Sequence, residues 1–191
     1  MKQLPQSRRK FLMAGSGGFF VPFLAGLPAF SFPENAATTN SKKGIVVQDA
    51  EGEHLLSGRR KAPITIKISK TSDGVNSTSF CTEDIVAGDR IRVHKHLNED
   101  EFVFIHKGEG KFTLDDQEVE IKPGSIVFVP KGVWHGLENT GKETIYMVFG
   151  YSPAGFEGYF RENGTPLGMQ PKQRTSEQYA TTEKKYGIVF K

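Results

Sequence analysis

Two histidines and a glutamate, all residue types that bind metal ions, lie within eight residues near the middle of the chain. His94 and His96 are separated by one residue, and Glu101 follows shortly after. In a β-strand the side chains alternate between faces, so both imidazoles would point the same way. A turn through residues 97–100 would return Glu101 on the neighbouring strand. The three groups are therefore predicted to converge without a long loop between them.

The residues around this cluster form the first of two glycine-marked stretches. Residues 88–108 read G-x5-H-x-H-x4-E-x6-G, and residues 124–139 read G-x5-P-x-G-x2-H-x3-N, which adds His135. Both stretches resemble the paired motifs of the cupin superfamily at every signature position, and the resemblance covers roughly residues 60–155. It implies an all-β fold, the double-stranded β-helix or jelly-roll barrel. It also implies that His94, His96, Glu101 and His135 are the ligands of one metal ion.

Three imidazoles and one carboxylate suit a divalent transition metal, namely iron, manganese, nickel, copper or zinc. Such a ligand set leaves coordination positions open for water, oxygen or substrate, which permits chemistry at the ion. The alternative is a cupin that has lost its metal and uses the barrel for binding or packing alone. Relatives of that kind usually lack ligands, whereas this sequence keeps all four, so we expect metal binding.

Strand parity predicts which neighbours share the pocket with the metal. With Glu101 facing inward, His106 faces outward and is not a fifth ligand. The same parity places Arg92 on the side of His94, where its guanidinium would hold a substrate carboxylate or enolate. The other interpretation of Arg92 is a salt bridge at the barrel rim. Five aromatic residues would either line an apolar pocket or belong to the core: Phe112, Phe128, Trp134, Tyr146 and Phe149.

Short runs of strand length, separated by turn residues, predict the rest of the barrel. They are residues 64–68, 76–82, 90–93, 101–105, 111–114, 118–121, 126–129 and 144–149. After Pro171 the pattern changes to a short helix that Ser176 would cap, running through Lys185 and ended by Gly187. The predicted organisation is an export signal at 1–31, an N-terminal leader at 32–60, the cupin barrel at 61–155 and a C-terminal extension with this helix at 156–191.

The start of the chain predicts an export signal. Arg8 and Arg9 precede Phe11, Leu12 and an uncharged stretch rich in glycine, alanine and phenylalanine. This order of a basic and an apolar segment resembles the twin-arginine signal, whose translocon carries folded proteins. A membrane-anchoring helix is the alternative, but the glycines and prolines of the stretch weaken a stable span. We therefore expect a periplasmic or otherwise exported protein with no stable membrane span once the signal is removed.

Charge and cysteine content argue against other classes of partner. The formal charge is +3, but four basic residues lie in the signal, and subtracting them leaves −1. A nearly neutral domain without a basic stripe is not expected to bind nucleic acid. The single cysteine, Cys81, excludes an intramolecular disulfide and is predicted to be a small, buried strand residue. The expected partner is a small-molecule ligand or substrate, and a homodimer is also considered because cupins often pair through their sheets.

The predicted fold and metal ligands suggest two candidate functions. The first is a metal-dependent oxygenase, in which a small enolate-like or aromatic substrate and oxygen share the open positions of the ion, and Glu101 is both ligand and catalytic base. The second is a non-catalytic module that binds a small anionic ligand or a metal. Cupin isomerases and lyases use the same ligands, so fold and metal do not choose among these chemistries.

Overall fold

The computed structural model describes residues 44–191, and the structural statements below refer to them. The strands are β1 (Glu53–Leu56), β2 (Pro63–Ile68), β3 (Phe80–Ile85), β4 (Arg90–His96), β5 (Asp100–Lys107), β6 (Gly110–Leu114), β7 (Gln117–Ile121), β8 (Ile126–Val129), β9 (His135–Glu138), β10 (Ile145–Ser152), β11 (Thr165–Pro166) and β12 (Ile188–Phe190). The helices are α1 (Lys70–Asp73), α2 (Glu157–Asn163) and α3 (Ser176–Tyr186). The predicted export signal lies outside the described residues. Within these residues, each helix is too short or too polar to cross a bilayer.

The strands form two antiparallel sheets around one core. One sheet has the order β11-β1-β2-β3-β10-β5-β8, and the other has the order β12-β4-β9-β6-β7. Most neighbours within a sheet are far apart in sequence, because the chain crosses repeatedly between the two sheets, as it does in a jelly roll. Buried apolar residues from both sheets form a single cluster between them. The predicted all-β double-stranded β-helix is thus confirmed.

Alternation along the central strands explains what the core contains. On β10, each inward-facing side chain is at most 2% exposed: Ile145, Met147, Phe149 and Tyr151. On the adjacent strand β5, the same period of two buries Glu101 and exposes His106, as the sequence predicted. A carboxylate therefore occupies a position in this sheet that an aliphatic residue would otherwise fill.

Two motif residues outside the predicted ligand set shape the turns near the site. Gly108 has φ +82°, and a Cβ there would lie 2.7 Å from the Cα of Ile145, so only glycine fits between β5 and β6. Asn139 follows β9, and its side-chain amide donates to the carbonyl oxygens of Ile85 at 2.7 Å and Glu143 at 2.8 Å. These bonds fix the end of the strand that carries His135.

The C-terminal extension adds a strand to the barrel. The N-cap of α3 is Thr175 rather than the predicted Ser176, because Thr175 and Gln178 exchange the two hydrogen bonds of a capping box. The helix stops at Gly187, which adopts the expected left-handed conformation with φ +67°. Beyond it, β12 pairs antiparallel with β4 and so completes the five-stranded sheet.

Several short elements were not foreseen. Strands β1, β9, β11 and β12, which have two to four residues, were not among the predicted runs. The strand expected at 76–82 is β3, which begins at Phe80 because the preceding residues form a bend and an irregular segment. Cys81 is a free, fully buried residue of β3, as predicted.

Candidate metal centre

The structure brings the four predicted ligands together between the two sheets. His94 and His96 lie on β4 and His135 on β9, while Glu101 lies on β5 in the opposite sheet. One donor atom from each side chain lies within 4.8 Å of the others. The four residues are only 2 to 7% exposed. An ion at ordinary metal–ligand distances would reach all four donors at once.

Strand register accounts for this convergence. His94 and His135 are direct partners across β4 and β9, with ring centroids 4.2 Å apart. His96 is two residues further along β4 and therefore shares the face of His94. Glu101 lies near the start of β5, after the turn at residues 97–99, and points back toward the imidazoles.

Two imidazoles are oriented by backbone carbonyls two residues upstream. Nδ1 of His94 lies 2.8 Å from the carbonyl oxygen of Arg92, and Nδ1 of His135 lies 3.0 Å from that of Val133. A carbonyl can only accept, so Nδ1 carries the proton and Nε2 is left facing the centre of the cluster. Metal-binding histidines are commonly oriented in this way.

His96 is held differently, and its nitrogens test whether an ion fits. Neither Nδ1 nor Nε2 has a hydrogen-bond partner among the described residues, although both are buried. Nε2 lies 3.3 Å from Oε2 of Glu101, too poorly aligned for a hydrogen bond. A buried nitrogen without a partner costs free energy, and coordination to a cation would satisfy Nε2. The residues present thus fit a metal ion.

The protonation states also suit a cation. Burial, together with the His135 and His96 imidazoles, lowers the pKa of His94 to about 3, so this ring is neutral. Burial would raise the pKa of Glu101, but a 2.7 Å hydrogen bond from His135 and the adjacent His96 hold it well below its usual value. For His135, the Glu101 contact outweighs burial and raises the pKa. A protonated His135 would compensate the buried negative charge of Glu101, and a bound metal ion would compensate it in place of that proton.

A cavity of about 140 Å³ opens beside His94, Glu101 and His135. Its walls are mainly apolar, and seven aromatic residues line it: Phe112, Phe149, Tyr151, Phe156, Tyr159, Phe160 and Phe190. The last four belong to the C-terminal extension, which thus helps to enclose the space next to the cluster.

The structure divides the aromatic residues that sequence reasoning left undecided. Phe112 and Phe149 are buried and line the cavity. Phe128 is 61% exposed on the edge strand β8, and Tyr146 packs against His106 on the outer face. The ring of Trp134 packs against Lys95, whose Nζ lies 4.6 Å from the ring centroid. The aromatic residues of α2 and β12 were not among these five candidates, because no periodicity links them to the barrel.

Arg92 lies at the rim of the cavity. Its Nη2 donates to the main-chain oxygen of Lys191 at 3.2 Å, and its guanidinium lies 5.0 Å from the ring centroid of Phe190. The side chain is exposed, and the β4–β9 register is irregular between Ile91 and His94. These contacts hold Arg92 at the rim, and its role toward substrate stays a prediction.

Fold and site together define a double-stranded β-helix that encloses three imidazoles and one carboxylate. Residues 82–151 match the family described as a cupin domain. Protein SchB of Streptomyces halstedii is 30% identical over 95 residues, which cover 50% of this chain and 69% of that protein. The chain belongs to the cupin superfamily.

Other relatives carry different functional names. The oxalate-binding protein of Thermotoga maritima is 29% identical over 103 residues, covering 51% of this chain and 85% of that protein. Quercetin 2,3-dioxygenase of Bacillus subtilis is 30% identical over 121 residues, covering 63% of this chain but 35% of the enzyme. A solved structure of a predicted oxalate decarboxylase from Thermotoga maritima superposes with a TM-score of 0.51 at 26% identity, covering 57% of this chain and 99% of that one.

Proposed function

We propose that the chain is a metal-dependent oxygenase that binds one divalent transition metal through His94, His96, Glu101 and His135 and acts on a small enolate-like or aromatic substrate. The observation that carries this proposal is the buried convergence of these donors beside an aromatic cavity. Iron, manganese, nickel, copper and zinc all suit the donor set. A bound ion would supply a Lewis acid with coordination positions open to substrate and oxygen.

The chain's own residues have distinct tasks in this reaction. The backbone carbonyls before His94 and His135 hold the two rings in place, so the donors need little reorganisation. Glu101 turns Oε2 toward the imidazoles, and its other oxygen, which has no hydrogen bond to a described residue, would accept a proton from a substrate hydroxyl. The mainly apolar walls would limit the water around a bound substrate, which would strengthen the charge interactions in the site.

Metal analysis and oxygen uptake test the proposal. Elemental analysis is expected to find about one transition metal per chain, and the metallated protein is expected to consume oxygen with a member of a panel of flavonols, diketones and catechols. Glu101→Gln should lose both metal and uptake, whereas Glu118→Gln on the exposed edge strand β7 should keep both. Full metal content with no uptake on the whole panel would contradict the oxygenase.

A non-catalytic binding module is the second candidate. It is favoured by the oxalate-binding relative, which aligns with this chain over 85% of its own length. Calorimetric titration of the metallated protein with oxalate distinguishes the two functions. Tight oxalate binding without oxygen uptake supports the module, and absence of binding argues against it.

Export is a further part of the proposal. Residues 7–12, interpreted as a twin-arginine motif, would direct the folded barrel out of the cytoplasm. Folding before export would let the protein take up its metal where metal availability differs from that of the envelope.

A further inference from the structure

One carboxylate bordering the cavity has no task in the proposed metal centre. Glu83 lies on β3 and is only 5% exposed. Its neighbours on the same face are Cys81 and Ile85, both fully buried, and its partners across the sheet are Ile64 and Met147. Every one of these contacts favours an apolar residue at position 83, so the carboxylate requires a specific explanation.

An arginine holds this carboxylate in place. Nη1 of Arg60 donates to Oε1 of Glu83 at 2.6 Å, and Nη2 donates to Oδ2 of Asp89, also at 2.6 Å. A buried ion pair of this kind adds little stability compared with a well-packed apolar pair, because both charges lose their hydration. Stability therefore does not explain why the interior of the barrel contains it.

The second oxygen of Glu83 is available to a ligand. Oε2 makes no hydrogen bond to any described residue, and the side chain borders the cavity. Among the described residues lining the cavity, the carboxylates are Glu83 and Glu101. Asp89, the other partner of Arg60, does not line it. Arg60 thus fixes Glu83 by one oxygen, and the other oxygen has no partner among the described residues on a side chain that lines the cavity.

Register places Glu83 and the metal cluster at different levels of the barrel. Glu83 pairs with Met147 of β10, whereas Glu101 pairs with Tyr151 of the same strand. Four residues of strand separate these levels by about 13 Å of backbone, and both side chains point inward. A cavity of about 140 Å³ between them is close to the size that encloses a single benzene ring. A one-ring ligand bound to the metal would direct its far end toward Glu83.

Resting on the proposed metal function, we propose that Glu83 determines specificity by accepting a hydrogen bond from a hydroxyl or amino group at the end of a one-ring ligand remote from the metal. Arg60 is the positioning residue for this carboxylate. A site built to pair such a donor rejects ligands without it, since the acceptor would be buried unpaired.

Benzoate and para-hydroxybenzoate are suitable probes, because both offer a metal-binding carboxylate and differ only at the remote end. The experiment is calorimetric titration of the full chain loaded with zinc, a redox-inert ion. Burial raises the pKa of Glu83 to about 7 against the opposing effect of Arg60, so titration at pH 8 keeps the carboxylate ionised. We expect para-hydroxybenzoate to bind about tenfold more tightly than benzoate, as one hydrogen bond to a charged group provides.

Variants separate this role from a structural one. Glu83→Leu should reduce the tenfold ratio to about one, and Glu83→Gln, which keeps an acceptor oxygen and the side-chain shape, should leave about threefold. Asp89→Asn is the matched control, because it removes the other partner of Arg60 but no cavity carboxylate, and it should preserve the ratio. Glu83→Gln provides the same comparison if Glu83→Leu does not fold.

The outcomes distinguish the two proposals. A chain that binds neither zinc nor any of the other four metals refutes the metal function and this inference with it. If the chain binds zinc, three results would refute the role of Glu83 alone. They are the absence of a preference for para-hydroxybenzoate, an unchanged preference in Glu83→Leu and Glu83→Gln, and a preference for terephthalate over para-hydroxybenzoate.

Discussion

Phe156 provides a sharp test of how the candidate metal centre is held together. The His96 ring has no hydrogen bond to a described residue, so packing alone orients it. The ring of Phe156 meets it edge-on with centroids 4.2 Å apart, and Phe156 is only 1% exposed. Phe156→Ala should therefore loosen one imidazole while leaving His94 and His135 on their backbone carbonyls.

The expected magnitudes follow from this burial. Removing a buried phenylalanine side chain costs about 3 to 5 kcal/mol of folding free energy. For a chain of this size, that corresponds to a fall in Tm of roughly 6 to 20 °C. Loss of a group that orients a ligand weakens metal binding by about 10- to 100-fold. Thermal unfolding followed by circular dichroism and zinc competition against a fluorescent chelator measure the two effects.

Phe149→Ala is the matched control for this experiment. Phe149 is equally buried, at 2% exposure, and its ring packs on Tyr151 and Phe160 rather than on an imidazole. It should lose similar stability but keep its zinc affinity within about threefold. Equal loss of zinc affinity in both variants would show that general loosening, and not the His96 contact, weakens the site. If the alanine variant does not fold, Phe156→Leu gives the same comparison with a smaller loss of folding free energy.

Three further predictions concern stability and export. Metal at about 1,000 times its Kd should stabilise the fold by about 4 kcal/mol and raise Tm by roughly 8 to 16 °C in scanning calorimetry, and an unchanged Tm at full occupancy would contradict a buried site. Because the folded-state pKa of Glu83, about 7, lies above its ordinary value, its contribution to stability is complete below about pH 4.5 and is lost as the pH rises through 7. Between pH 5 and 8, the free energy of unfolding of the wild type should therefore fall by about 2 to 3 kcal/mol relative to that of Glu83→Gln. Urea unfolding measures both, and parallel pH profiles would refute the prediction. Replacement of Arg8 and Arg9 by lysine should retain the protein in the cytoplasm on cell fractionation, and unaltered export would argue against the twin-arginine route.

The sequence revealed the candidate site better than it revealed the cavity. Side-chain alternation and the glycine-marked motifs were enough to place His94, His96 and Glu101 together, because strand geometry fixes their direction. The cavity walls depend instead on where α2 and β12 dock, which is decided by tertiary packing and leaves no local period. Glu83 was overlooked for a related reason, since a single acidic residue in a strand gives no sign of whether it faces solvent or interior.

Three expectations from the sequence concern export, self-association and nucleic-acid binding rather than the fold or the site. The predicted export signal lies outside the described residues, and a homodimer and the absence of nucleic-acid binding concern more than one molecule. These three expectations stay predictions. Oligomeric state is open to light scattering, and nucleic-acid binding to a gel-shift experiment at low salt.

The pairing of β12 with β4 makes the candidate metal centre depend on the C-terminal extension. Phe190 and His94 are register partners although most of the domain lies between them in sequence. Without β12, β4 would be an open sheet edge, free to fray or to pair with another chain. An unpaired edge strand would hold His94 and His96 less firmly, so we expect a well-ordered metal centre to require the C-terminal extension. A bulky affinity tag fused next to β12 would disturb the same strand, and a cleavable tag is the safer choice for metal analysis.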